Sequence, residues 1–272
     1  MSIRISVVVP TIGRPHDLDQ CLRAIGAADN GSLHEIIVVD DGAEQPVETA
    51  SALSHRCRVT VLRNEQRRGA SLSRNLAAEF ATGDVLAFVD DDARMLPDWF
   101  DVATAEMTGD RAAITGRVLP FDSGLVSRAR QWRYDKRYQL LPAGAEVDFL
   151  AGGNSLVRRA AFLAAGGFPD QPTAGDNALV PRLRAEGGRC CFVPGLRILH
   201  RNGKGLVTAA REAWRAGAAN RVPAGQAIDR FSRTMRSLPG REQPDVALVN
   251  GALQVCNTLG HLTGFGGGNK EA

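Results

Sequence analysis

The stretch "LAFVDDDARMLPDW" (86–99) sets an apolar run, Val85 to Val89, directly before three carboxylates, Asp90, Asp91 and Asp92. Adjacent acids repel one another and are depleted in strands. Such an ending makes chemical sense where a divalent cation sits. Hard oxygen donors suit magnesium or manganese, which commonly bridge to phosphate oxygens. Successive side chains of an extended segment alternate in direction. Asp90 and Asp92 are therefore expected to share a face, with Asp91 pointing elsewhere and tolerating change best. A second apolar run, "EIIVVDDG" (35–42), ends in Asp40 and Asp41. A first run, "ISVVVP" (5–10), leads into Thr11 and Arg14.

These acids need a scaffold that brings strand ends together. Short apolar runs alternate with helix-period segments along the first part of the chain. "HDLDQCLRAIGAA" (16–28) places Leu18, Cys21, Leu22 and Ile25 on one helical face. "GASLSRNLAAEFATG" (69–83) reads as a helix ended by Gly83. The runs at 5–10, 35–42, 59–64 and 84–92 are apolar without in/out alternation, as in a parallel sheet buried on both faces. Residues 1–115 thus read as a βαβ nucleotide-binding half, with ligands beyond the carboxyl ends of its strands.

Beyond this half the pattern is less regular. Residues 112–121 and 146–159 read as strands, 176–188 as a helix despite Pro181, and "RCCFVPGLRILHRNG" (189–203) as two short strands. Three helices follow, at 205–221, 225–238 and 245–262, with a connector at 239–244. The tail "GFGGGNKEA" is expected to be disordered.

Composition excludes several classes. The 272 residues are 44% hydrophobic and 23% charged, an ordinary globular balance. A net charge of +3 gives no argument for nucleic acid. The cysteines at 21, 57, 190, 191 and 256 form no C-x-x-C pair, which speaks against disulfides or zinc and for a reducing cytoplasm. The N-terminus lacks a signal-peptide pattern, and no apolar run is long enough to span a bilayer.

Five stretches in order, "VVVPTIGRP", "VVDDG", "RRGASLSRNLAAEFATGDVLAFVDDD", "AGGNSLVRRAAFLAAGGF" and "GDNALVPRLRAEGG", resemble family 2 glycosyltransferases over about residues 4 to 200. A lone D-x-D is weak evidence; the ordered set is specific. The resemblance implies an α/β fold of GT-A type. In it a Rossmann-like nucleotide-binding half and a mixed central sheet are flanked by helices, with C-terminal helices added. The implied division is a catalytic region 1–203 (halves 1–115 and 116–203), a helical extension 204–262 and a tail 263–272.

The implied activity is an inverting transfer of one sugar from a nucleotide-diphosphate sugar, with UDP the expected nucleotide. The acceptor is a small molecule, a glycan or a lipid-linked hydroxyl. By the same resemblance Asp41 would bind the donor base, in a pocket lined by the backbone of Pro10, Thr11 and Arg14. Arg74 and Asn75 would lie near the nucleotide, Asp90 and Asp91 at the donor, and Asp90, Asp92 and His200 at a Mn2+ or Mg2+ ion. Gly152, Gly153 and Asn154 would line the acceptor side, where Trp132, Tyr134 and Tyr138 offer stacking surfaces and Arg133 or Arg137 a cation. Family members carry Glu-Asp where this chain has Gly175–Asp176. Asp176 matches the base, while the Glu is missing. His16, His34 and His55 are expected in solvent-facing helices or turns.

Bland readings stand beside these. Acids after strands cap helices, Asp176 suits an N-cap, Asn154 suits a bulge, and 122–146 suits a solvated helix. The C-terminal arginines at 211, 215, 221, 230, 233 and 236 fit a peripheral membrane contact, a homodimer face or a cover for the sheet. A nucleotidyltransferase and a non-catalytic sugar-nucleotide-binding protein remain alternatives. "PTIGRP" is a poor match to the basic, glycine-rich loop of the former.

Overall fold

The computed structural model describes residues 3–48, 57–170, 175–203, 205–239 and 243–263. The chain divides into two compact units: Met1–Leu119 with Arg137–His200, and Pro120–Lys136 with Arg201–Ala272. The segment 120–136 thus groups with the C-terminal helices rather than with the acceptor half in which the family resemblance places it.

The first unit is built on strands β1 (Ile5–Thr11), β2 (Leu33–Asp41), β3 (Arg58–Asn64), β4 (Val85–Val89), β5 (Ala93–Met95), β6 (Arg111–Pro120), β7 (Asn154–Arg158) and β8 (Arg189–His200). They form one sheet in the order β3-β2-β1-β4-β7-β6-β8-β5. β1 pairs in parallel with β2 on one side and β4 on the other, while β4 pairs antiparallel with β7. The sheet is mixed, and its chain direction switches beside β1 and β4. That crevice is where ligands bind in open α/β sheets.

Every residue of β1 and β4 is buried, as their unbroken apolar runs require. β3 departs from this. It lies at the sheet edge with only Asn64 buried, so the run at 59–64 does not belong to a strand covered on both faces. Residues 189–200 form one long strand, not two; the sheet carries the chain straight through Pro194 and Gly195. Residues 146–153 join no strand, apart from a bridge between Glu146 and Cys191.

Helix α1 (Pro15–Ala28) opens on Pro15, whose missing N–H costs nothing at a helix start. Its buried face holds Leu18, Cys21, Leu22 and Ile25 as the spacing predicts. Helix α2 (Ala70–Phe80) ends before Gly83. Gly83 serves packing instead: a Cβ there would come within 2.9 Å of the Arg4 carbonyl. The remaining helices of this unit are α3 (Trp99–Glu106), α5 (Arg159–Ala164) and α6 (Gly175–Ala185).

Helix α4 (Leu125–Tyr138) starts in the second unit, and its last two residues belong to the first. The second unit adds α7 (Leu206–Ala219), α8 (Ala224–Arg236) and α9 (Pro244–Thr263). Ala129, Ala209, Val246, Val249 and Leu253 form its core. No helix among the described residues is long and apolar enough to cross a membrane. His34 lies in β2 rather than in a turn. His55, the tail 264–272 and part of the connector lie outside the described residues.

Candidate active site and metal centre

The site forms where β1 and β4 end. β4 releases Asp90, Asp91 and Asp92 into a tight turn, and β5 begins at the next residue. β5 pairs antiparallel with β8, with Ala93 opposite His200. That register delivers a histidine from more than a hundred residues away to the acids. His200 Nε2 lies 3.1 Å from Asp92 Oδ1 and 3.7 Å from Asp90 Oδ2. The three side chains offer ligand atoms within 4.8 Å of one another. Two carboxylates and an imidazole make a donor set that manganese or magnesium accepts.

Asp91 takes a different partner set and overturns the expectation that it tolerates change best. It is 1% exposed. Thr11 Oγ1 donates to its Oδ2 at 2.6 Å, and Arg14 Nε donates to the same oxygen at 3.1 Å. A second nitrogen of the Arg14 guanidinium reaches Asp91 Oδ1, while Nη1 donates to Asp92 Oδ2 at 2.7 Å. Burial pushes the Asp91 carboxyl above its ordinary value despite these partners. Asp92 moves the other way: burial opposes ionisation, but His200 and Arg14 hold it well below the usual carboxylate range.

Arg74, on α2, is buried and donates from Nη2 to Asp90 Oδ1 at 2.7 Å. Its neighbour Asn75 turns to the backbone of Phe168. Asn75 Nδ2 donates to the Phe168 carbonyl at 2.8 Å, and its Oδ1 accepts the Phe168 N–H at 2.9 Å. The amide is spent clamping Phe168, over whose ring the Arg74 guanidinium lies at 5.8 Å.

Asp41 is likewise committed. It accepts from the backbone N–H groups of Arg68 and Gly69 at 2.9 Å each, from Asn64 Nδ2 at 2.9 Å and from Ser73 Oγ at 3.1 Å. Three of the donors share Oδ1 and one takes Oδ2, and together they fix the start of α2. Asp40 holds the backbone N–H of Ala43 at 2.8 Å and of Val47 at 3.2 Å, and Arg63 closes on it. Pro10 is buried within β1. The loops after β1 and β2 enclose a cleft of about 960 Å³ lined by Ile12, Gly13, Gly42, Ala43, Val47 and Arg67.

On the other side of Asp90 lies "GGN". Gly153 has no Cβ because one would collide with the Asp90 carboxylate, and a Cβ on Gly152 would lie 3.1 Å from Asp176 Oδ2. The Gly152 N–H donates to that oxygen at 3.1 Å, and the Asn177 N–H donates to Asp176 Oδ1 at 2.9 Å. Asp176, Gly152, Arg74 and Asp90 therefore converge. At Gly175 a Cβ would run into Ser71 Oγ, so the missing Glu has no room unless Ser71 turns away.

The acceptor-side candidates have different surroundings. Asn154 is fully buried: its Oδ1 accepts Trp99 Nε1 at 3.0 Å, and its Nδ2 donates to the carbonyls of Arg117 and Leu196 at 3.0 Å each. Every polar atom of that amide is used in joining β6, β7, β8 and α3. Trp132 is half-buried against the core of the second unit, with Lys136 Nζ 5.1 Å from its ring. Tyr138 is buried, its ring stacked on Phe192. Sequence reasoning missed a cavity of about 400 Å³ beside the Asp176 segment, lined by Arg137, Leu141, Val147, Phe149 and Asn177. The Arg137 guanidinium lies 4.7 Å from the Phe149 ring there. Its sequence signals were Arg137, offered as an acceptor-side cation, and the position of Asn177 next to Asp176.

Comparison with known proteins bears on this geometry. Residues 6–164 match the sequence family described as Glycosyl transferase family 2. A glucosyl-dolichyl phosphate glucuronosyltransferase of Haloferax volcanii is 31% identical over 178 residues, 61% of this chain and 56% of that protein. A pre-mycofactocin glycosyltransferase of Mycobacterium tuberculosis is 25% identical over 61% of this chain and 37% of its own length. The chain thus spans about half or less of these relatives. Among solved structures, a mannosyltransferase from Pyrobaculum calidifontis in complex with GDP-Man and Mn2+ superposes with a TM-score of 0.62. Its identity is 20%, and the match covers 97% of this chain and 73% of that one. GalNAc-T7 with UDP, GalNAc and Mn2+ superposes at 0.58 over 74% of this chain and 43% of its own, with 18% identity.

Proposed function

The chain belongs to glycosyl transferase family 2, and from that premise we propose that it moves one hexose from a nucleotide-diphosphate sugar to an acceptor hydroxyl, with inversion and with a divalent metal. The convergence of Asp90, Asp92 and His200 carries this reading. Their two carboxylates and imidazole fit Mn2+ or Mg2+, and Gly153 keeps the space against Asp90 free of a side chain. Asp90, Asp92 and His200 would hold the ion, which when bound supplies Lewis-acid stabilisation of the departing diphosphate.

The chain's own residues do the rest. The cleft between the loops after β1 and β2 receives the nucleoside. Arg14, anchored by Asp91, sets a cation beside the metal acids. Arg74 fixes Asp90 and keeps its oxygens aimed at the site. Asp176, held by the Gly152 N–H, takes the proton from the acceptor hydroxyl as its oxygen bonds to the sugar C1. The bond from C1 to the phosphate oxygen breaks, and the nucleoside diphosphate leaves with that electron pair. Desolvating the hydroxyl beside a positioned carboxylate is general-base catalysis, worth about 10²–10⁴ in rate. UDP is the proposed nucleotide. A lipid-linked hydroxyl is among the acceptors the reading includes, and it is the one that would place the chain at a membrane surface.

Asp176→Asn tests the assignment. Transfer from a panel of sugar nucleotides with Mn2+ should fall about 10²–10⁴-fold, while donor binding by thermal shift stays intact. Transfer that survives, or donor binding that disappears with it, removes Asp176 from the role of base.

A further inference from the structure

The helices of the second unit carry an apolar surface that the sugar-transfer reading does not use. On α9, Leu248, Ala252, Val255, Leu259 and Leu262 are all exposed, the four larger ones between 43% and 74%. Their spacing of four, three, four and three residues sets them in one row along a helix about 30 Å long. No charge interrupts that row. The helix carries a single acid, Asp245, which pairs with Arg128, and its His261 is buried.

Helix α7 widens the row into a surface. The two helices touch backbone to backbone: a Cβ on Gly217 would collide with the Asn257 carbonyl, and one on Gly260 with the Trp214 carbonyl. Trp214 Nε1 donates to Thr263 Oγ1 at 3.4 Å, and Thr263 follows Leu262 one turn beyond Leu259. The indole therefore lies at the end of the row, and it is exposed. Val207, two turns before Trp214 on the same side of α7, is 72% exposed. Arg211 and Arg215 are exposed one and two turns after Val207, while Glu212, the only acid of α7, turns to Arg130 at 3.9 Å. Charge is also segregated between the units. The positions of the second hold 14 Lys and Arg against 7 Asp and Glu, those of the first 19 against 23.

A long exposed apolar surface marks a contact with another body. A second copy of this chain is a poor partner, because it would press one basic unit against its like. A bilayer with acidic headgroups buries the apolar row and also answers the excess of cations. We propose that the exposed side of α7 and α9 docks on an anionic lipid surface. Leu248, Val255, Leu259, Leu262 and Trp214 enter the boundary between headgroups and acyl chains, and Arg211 and Arg215 pair with lipid phosphates. An indole suits that boundary, and the fork of an arginine suits a phosphate. The proposal does not rest on the sugar-transfer reading.

Co-sedimentation of the full chain with lipid vesicles is the test. Wild type should bind vesicles of phosphatidylglycerol and phosphatidylcholine, bind phosphatidylcholine alone far more weakly, and lose affinity as sodium chloride is raised. Leu248→Glu combined with Leu259→Glu should abolish binding. Arg211→Gln combined with Arg215→Gln leaves the apolar row intact and should weaken binding about tenfold or more. This second pair decides the matter if the glutamates disturb folding, which urea midpoints report. No vesicle binding by wild type, binding indifferent to lipid charge, or binding that a folded variant retains in full overturns the proposal. A concentration-dependent dimer that the glutamate pair disrupts, without vesicle binding, assigns the face to a second copy and overturns it likewise. Neither variant touches the metal centre, so Mn2+-dependent nucleoside-diphosphate binding stays at the wild-type level. Failure here is therefore separable from failure of the sugar-transfer reading.

Discussion

Two acidic clusters end the two strands that flank β1, and they are held in opposite ways. Asp40 and Asp41, after β2, are satisfied mainly by four backbone N–H groups, those of Ala43, Val47, Arg68 and Gly69. Asp90 to Asp92, after β4, are satisfied by side chains alone among the described partners: Thr11, Arg14, Arg74 and His200. A backbone-held carboxylate cannot exchange partners without opening a loop. A carboxylate held by side chains can, because each of those side chains turns about its own bonds. The first arrangement builds a scaffold; the second is what a site that takes up a cation needs.

Breaking both clusters with the same substitution gives the sharpest contrast. Asp92→Ala should cut transfer about 100- to 1,000-fold, the range for losing one preorganised electrostatic group, with little change in urea midpoint. Asp41→Ala should do the reverse. It strands two backbone donors, Asn64 and Ser73, and should cost roughly 2–4 kcal/mol of stability, read as a lowered urea midpoint. Equal stability losses in the two variants would dissolve the distinction.

Asp91 sits between the two types: it belongs to the functional triplet but is buried and fixed like the scaffold pair. Asp91→Asn keeps the shape and weakens the grip on Arg14. The expected result is a loss of about 1–2 kcal/mol in stability together with weaker nucleoside-diphosphate binding, measured by calorimetry. A variant indistinguishable from wild type would restore the tolerance that alternation alone suggests.

The smallest effect concerns Glu35, a third acid held as scaffold. Thr82 N–H and Ser6 Oγ donate to its Oε1 at 2.7 and 2.8 Å. Burial works against its charge, yet these hydrogen bonds hold its carboxyl below the ordinary glutamate range. A depressed folded pKa contributes stability above the unfolded value, about 4.3, and that contribution is lost as pH falls through the lower folded value. Wild type should therefore lose stability more steeply than Glu35→Gln below about pH 4.3, followed by thermal melts across pH.

The sequence was most informative where local pattern and burial agree. Fully buried β1 and β4 read directly from unbroken apolar runs, and the face of α1 from its spacing. The ordered motifs identified the family, and His200 came through resemblance. Its route to the acids did not, because the β5–β8 register is a tertiary fact. Alternation placed Asp90 and Asp92 together but could not show that Arg14 and Thr11 close over Asp91. Asn154 and Asn75 read as ligands because an amide donates and accepts equally well to sugar or to backbone. Only the positions of Trp99, Arg117, Leu196 and Phe168 decide which. The grouping of 120–136 with the C-terminal helices was hidden for the same reason: an amphipathic stretch does not name the surface it covers.

Calorimetric titration of Mn2+ together with a nucleoside diphosphate tests the central claim most directly. The account predicts metal-dependent, saturable binding in the wild type, lost in Asp92→Ala, weakened in His200→Ala and kept in Asp176→Asn. Nucleotide binding that ignores both the metal and Asp92 would contradict it.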